Sequence, residues 1–180
     1  QSTPVHSWIR TGVAKGAHLL SKRQRSPPTP YLAPSGGVAI VANDPSHRAG
    51  TFDRTAAEKG ARFLEVMGGF HLPTIFLADN PGVMAGTAAE QEGALRAAAR
   101  MFAAQHRLTG PKLHVTFRKA FGFGSSIMAM NPFDEQTLSV AFPGATLGAM
   151  PARGGGAAAH ADEAQQASLD ETESGGPYRI

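Results

Sequence analysis

The chain has 180 residues, enough for one domain of ordinary size, and 42% of them are apolar, enough for a core. It has no cysteine, which excludes a disulfide framework, a thiolate metal site and a cysteine nucleophile. The net charge is +3 and the pI about 9.6, but much of the basic excess sits in one run, Lys22-Arg23-Gln24-Arg25, which lacks interleaved aromatics and reads as a solvated linker.

No nucleic-acid partner is therefore expected. No apolar stretch approaches the ~20 residues that span a bilayer, and no apolar signal region opens the chain. A cytoplasmic protein without a membrane partner is expected.

Residues 1–36 read as a poorly organised segment or linker. Ile9 to Leu20 predicts a short helix weakened by Gly12 and Gly16. The prolines of Ser26-Pro27-Pro28-Thr29-Pro30 forbid helix and central strand there. Order is expected from Gly37. Val38-Ala39-Ile40-Val41-Ala42 predicts a strand buried on both faces, and Asn43-Asp44-Pro45-Ser46 a turn. Thr55 to Met67 has helical spacing, with Ala57, Ala61, Phe63 and Leu64 on its apolar face, and Gly68-Gly69 ends it. Thr74 to Ala78 is a second buried strand, broken by Asp79-Asn80-Pro81-Gly82.

One long helix is expected from Thr87 to Gln105, with Leu95, Ala98, Met101 and Phe102 inward. Lys112 to Phe117 is a third strand. The turn Gly122-Phe123-Gly124-Ser125-Ser126 follows, then a short helix start at Ile127 to Met130, ended by Asn131-Pro132-Phe133-Asp134. Leu138 to Phe142 and Ala145 to Met150 complete the strands, and an exposed helix is expected from His160 to Glu173, stopped by Gly175-Gly176-Pro177. Strands and helices in alternation predict an α/β fold with a mainly parallel sheet. Three regions follow: a segment 1–36, a domain 37–151 and a partly helical extension 152–180.

The strongest chemical signal is the strand–turn–helix element from Lys112 to Met130. A glycine-rich turn entering a helix presents free N–H groups that favour negative charge. It suits a phosphate or an oxyanion, or it is a tight connection with no ligand. Ile127 stands where a dinucleotide fingerprint needs its third glycine, and no Gly-Lys-Ser/Thr follows, so the nucleotide readings fail. The turn Asp79 to Thr87 is built alike, and ligands in parallel folds gather at the carboxyl ends of strands. The two turns face one pocket or are two ordinary connections. Glu90 and Glu92 point to different helix faces, His106 and His114 show no metal spacing, and Ser125 and Ser126 have no histidine partner.

Four segments in this order are together specific: Gly37-Val38-Ala39-Ile40-Val41-Ala42-Asn43 with Glu58-Lys59-Gly60-Ala61-Arg62-Phe63; Asp79-Asn80-Pro81-Gly82 with Gly86-Thr87; Arg118-Lys119-Ala120-Phe121-Gly122-Phe123-Gly124; and Ala141-Phe142-Pro143. Over residues 37–151 the chain resembles the C-terminal domain of the carboxyltransferase (beta) subunit of biotin-dependent acyl-CoA carboxylases. The resemblance implies a crotonase-like fold, a ββα spiral. It implies transfer of a carboxyl group from carboxybiotin, held on a partner carrier protein, to an acyl-CoA such as acetyl-CoA or propionyl-CoA. The backbone N–H groups of Phe123 and Gly124 would hold the biotin ureido oxygen. Pro81, Gly82, Val83, Gly86, Gly122, Ser125 and Ser126 would line the biotin and substrate site, with no metal. The expected partners are further copies in a hexamer-type homo-oligomer and the biotin carboxylase and biotin carrier subunit.

Three departures from the family pattern stand out. Phe123 replaces a glycine, and its ring is expected to narrow the pocket. Val83 replaces a phenylalanine on the biotin-side wall. Ser126 replaces a residue that is acidic in some propionyl-type enzymes. The family's CoA-holding N-terminal domain is not within these 180 residues, so the chain alone is expected to be inactive. The alternatives are a biotin-dependent acyl-CoA decarboxylase subunit of the same fold and a non-catalytic assembly module.

Overall fold

Alternation along each strand sends one set of side chains to helices and the other to the opposite face. A computed structural model shows where these faces lie; it describes residues 9–15, 18–19, 37–131 and 135–174. The elements are β1 (Ile9–Lys15), β2 (His18–Leu19), β3 (Gly37–Asn43), α1 (Arg54–Gly68), β4 (Thr74–Asn80), α2 (Thr87–Glu92), α3 (Ala94–His106), β5 (Lys112–Phe121), α4 (Gly122–Ile127), β6 (Thr137–Ala141), β7 (Thr146–Gly148), α5 (Ala152–Ala158) and α6 (Glu163–Ser174). The sheet order is β2-β1-β3-β4-β5-β6, with β7 also pairing β5. From β3 onward all pairings are parallel, while β1 runs antiparallel to both β2 and β3.

The core lies on one face of the sheet. Val41, Phe76 and Ala78 meet Ala57, Ala61 and Leu64 of α1 and Ala98, Met101 and Ala104 of α3. The many alanines let the helices close on the sheet. Asp53 caps α1 by accepting from the Ala56 N–H at 3.0 Å. The bidentate Arg100–Glu65 pair ties α3 to α1 at the surface, and its hydrogen bonding holds the Glu65 carboxyl below the usual carboxylate range.

The other face carries cross-strand rows, Ile40–Ile75–Leu113–Leu138 and Ala42–Leu77–Val115–Val140. Their residues are half-buried, or exposed in β6. The strands expected to be buried on both faces are thus fully buried on one and partly on the other. Phe117 and Phe142 stack on that side with ring centroids 5.2 Å apart, both exposed.

Several expectations are corrected. Ile9 to Leu20 is a strand pair rather than a helix: residues Ile9 to Lys15 pair along all of β3, and the ladder outweighs weak helical propensity. The single helix from Thr87 to Gln105 is two, because Gly93 adopts φ 82° and closes α2 before opening α3. Leu95 is exposed, not inward. The third strand runs on to Phe121. Helix α4 occupies the expected turn itself and ends at Ile127. Helix α5, rich in glycine, was not expected, whereas α6 has no buried residue and matches the exposed helix anticipated there. The basic run at 22–25, the proline run at 26–30 and the final glycines lie outside the described residues, as do 132–134.

Candidate active site at the strand ends

Strand β5 changes partners along its length. Residues Lys112 to Thr116 pair with β6, whereas Lys119 to Phe121 pair with β7, and the register against β4 shifts between Ala78 and Asn80. The strand then turns directly into α4. Gly122 makes the elbow, with φ 54° and its α-carbon so placed that a Cβ would lie 2.7 Å from the Ala149 carbonyl oxygen. Both demands exclude side chains. Ser125 Oγ donates to the Gly122 carbonyl at 2.6 Å, and Asn131 Nδ2 donates to Ser126 Oγ at 3.0 Å. Phe123 and Gly124 stand in the first turn of α4, where helix N–H groups lack intrahelical acceptors.

The Pro81–Gly82 turn packs against this helix. A Cβ on Gly124 would lie 2.6 Å from the Gly82 α-carbon and would overlap the Asn80 side-chain oxygen. The two glycine turns expected from sequence therefore meet, backbone to backbone. The second turn is fixed by a parallel bridge between Phe52 and Val83: Phe52 N–H donates to Gly82 O at 3.0 Å, and Met84 N–H to Phe52 O at 2.7 Å. The segment before Phe52 is strained at Arg48 and Ala49, both at positive φ, and Gly50 follows at φ 84° without a Cβ to clash. Gly86, with φ 111°, precedes α2 and is exposed. It stays in the second turn, and its Cα has no neighbour within reach of a Cβ.

Phe123 does not project as expected. Its ring packs back on the core at 5.5 Å from Phe102 of α3, and Phe102 in turn meets His106 edge-on at 4.5 Å. The ring expected to narrow a pocket instead fills space between α3 and α4. Val83 packs on the same core.

Sequence reasoning missed four polar residues. Asp79 is buried; one carboxylate oxygen accepts from Arg118 Nε at 2.7 Å, and the other has no partner among the described residues. Asn43 and Asn80 are buried and bonded to each other. All of these stood in the quoted motifs, but nothing in a sequence says what faces them. His114 is also buried; its ring bridges the Met128 carbonyl and Thr116 Oγ1, each at 2.7 Å, and burial pushes its pKa down. It pins the end of α4 to β5 and is structural.

Comparison with known proteins agrees with this architecture. A family model described as the carboxyl transferase domain matches residues 36–174. An uncharacterized carboxylase of Bacillus subtilis (strain 168) is 42% identical over 113 residues, 63% of this chain and 22% of that protein. The biotin-dependent acetyl-/propionyl-coenzyme A carboxylase beta5 subunit of Mycobacterium tuberculosis (strain CDC 1551 / Oshkosh) is 38% identical over 117 residues, covering 65% and 21%. The crystal structure of the transcarboxylase 12S hexamer with hydrolyzed methylmalonyl-coenzyme A superposes with a TM-score of 0.71 at 31% identity, over 79% of this chain and 28% of that one. The chain thus spans about a fifth to just over a quarter of these proteins' lengths. The shared fold is the crotonase-like one of carboxyltransferases. With the family match extending over most of its length, the chain belongs to the carboxyl transferase domain family.

Proposed function

We propose that the chain is the biotin-side half of a carboxyltransferase that moves a carboxyl group from carboxybiotin to an acyl-CoA such as acetyl-CoA or propionyl-CoA. The observation that carries this reading is the seating of Gly124 of α4 against the Pro81–Gly82 turn at the carboxyl ends of β4 and β5. Residues 37–151 are read as the domain, to whose sheet β1 adds an edge, and 152–180 as an extension.

The residues present fit a ureido group. Their donors are backbone N–H groups in the first turn of α4, a helix seated on the Pro81–Gly82 turn by a Gly82–Gly124 contact too close for a Cβ. When bound, biotin would supply a ureido carbonyl oxygen that gains negative charge as the carboxyl group leaves the adjacent ureido nitrogen. The N–H groups of Phe123 and Gly124 stabilise that charge more in the transition state than before it. They are held in place beforehand, so no reorganisation is needed as the charge develops. Gly122 sets their direction, Ser125 and Ser126 brace α4 through their hydroxyls, and Pro81, Gly82, Val83 and Gly86 of the second turn would supply the facing side of the site. No side-chain acid or base is required. Acyl-CoA would be held largely by a domain outside this chain, oriented for transfer by proximity.

The one-sided sheet supports assembly with further copies, in a hexamer-type homo-oligomer, and with biotin carboxylase and biotin carrier subunits. No described helix is long and apolar enough to cross a membrane, and a cytoplasmic location is part of the same reading. The test is a biotin titration followed by NMR of the Gly122, Phe123 and Gly124 amides. Shifts at those amides are expected. Their absence would favour an assembly module, and brisk turnover of carboxybiotin and acyl-CoA by the chain alone would overturn the half-site assignment.

A further inference from the structure

We infer that Asn43 and Asn80 are positioning residues that set the spacing between the two site turns; this deepens the biotin-side reading and rests on it. Asn80 is fully buried and Asn43 nearly so. Asn43 Nδ2 donates to the Gly50 carbonyl at 3.1 Å. Its Oδ1 accepts from the Asp79 N–H and from Asn80 Nδ2, both at 3.2 Å. Asn80 Oδ1 then accepts from the Gly82 N–H at 3.1 Å, and Gly124 is seated on that same oxygen.

The backbone fixes the polarity of every link. A peptide N–H can only donate and a carbonyl can only accept, so neither amide can flip without losing bonds at both ends. The relay thereby joins the strained Gly50 segment, the end of β4, the Gly82 turn and α4. Its carboxamide oxygen lies against both glycine backbones beside their direct contact, so the rotamer of Asn80, itself set by Asn43, governs how the two turns meet. Neither residue touches the proposed ligand. Both act through the N–H groups of Phe123 and Gly124.

Substituting aspartate for Asn80 gives a directional test. The ionised carboxylate keeps an acceptor for Gly82 but places an acceptor against Asn43 Oδ1, whereas the protonated acid restores the missing donor. Amide spectra of the ligand-free chain report the outcome. In Asn80→Ala and Asn43→Ala, the Gly82, Phe123 and Gly124 amides are expected to move, with the apparent affinity for free biotin falling about tenfold, as for loss of one orienting hydrogen bond. In Asn80→Asp, the same amides are expected to be displaced at neutral pH and to return toward the parent positions as the new carboxyl protonates. Should an alanine variant not fold, Asn80→Asp carries the readout within one folded protein by its pH profile. Unmoved Phe123 and Gly124 amides in the variants, or no return in Asn80→Asp on acidification, would overturn the inference. Absence of any biotin response in the parent chain would instead overturn the biotin reading, leaving the ligand-free shifts to decide the relay.

Discussion

Replacing Gly124 by alanine tests the contact on which the site depends. The added Cβ would lie 2.6 Å from the Gly82 α-carbon and 2.8 Å from its carbonyl carbon, whereas ordinary contact begins at 3.4 Å. These neighbours are backbone, so no flexible side chain can swing away. The turns must separate by roughly 0.8 Å, and overpacking of this kind costs about 1–3 kcal/mol. For a chain of this length, each kcal/mol lowers the melting temperature by about 2–4 °C. Thermal unfolding by circular dichroism is the assay, with Gly144→Ala as control, because no atom lies within 4 Å of a Cβ there. The control is expected to stay within about 0.5 kcal/mol of the parent. In an assembled enzyme a displacement near 1 Å would lower turnover about 10²-fold. If Gly124→Ala melts with the parent and leaves the Gly82 and Phe123 amides in place, the two turns do not bear on each other and the site geometry is wrong.

His114 supplies a pH dependence. The Met128 carbonyl can only accept, so Nδ1 carries the proton and Nε2 takes the Thr116 hydroxyl, which describes a neutral ring. Burial lowers its pKa, so on acidification the unfolded chain gains this proton before the folded one. Its contribution is complete above the unfolded value of about 6.5 and is lost as pH falls below that, by at most about 1.36 kcal/mol per pH unit. Urea unfolding of the parent and His114→Gln should show a stability gap that is constant at higher pH and shrinks in that acid window; a constant gap throughout would refute it. Arg118→Ala should cost about 1–2 kcal/mol in the same assay, since Asp79 is buried although the arginine itself is exposed, while Arg100→Ala, at a pair exposed on both sides, should cost under about 1 kcal/mol. Equal losses would count against the Asp79 pairing. Leu138→Lys and Val140→Lys, on the exposed side of β6, should weaken self-association by sedimentation while changing stability by no more than about 0.5 kcal/mol; unchanged association would remove this face from the assembly.

The parallel α/β pattern was legible because each unit repeats one local rule, a short apolar run followed by a helical period. What failed were the decisions made by distant partners. Residues Ile9 to Lys15 form a strand only because all of β3 lies alongside. The break at Gly93 lay inside a run whose alanines favour helix on both sides, and only its left-handed backbone separates α2 from α3. Full burial on one face and partial burial on the other likewise depend on what packs against Leu113 and Val115, a relation that apolar content cannot express.

The site was legible for a different reason. Its proposed work is done by backbone N–H groups, and a backbone is written in sequence only through the residues that permit close approach. Gly82, Gly122 and Gly124 are therefore readable, since each admits what a Cβ would forbid. Position 123 has no such constraint: its N–H is donated whatever side chain it bears, and here the ring turns away to meet Phe102. The phenylalanine thus shapes the packing between α3 and α4, while the proposed donor is a backbone group that any side chain would leave in the chain. The polar residues that aim these groups are less visible, because an asparagine in a turn motif looks the same whether it faces water or a buried amide. Asn80 acquires its meaning only once β3 brings Asn43 beside it, so the part of the site that sets its dimensions is written across two strands rather than within one motif.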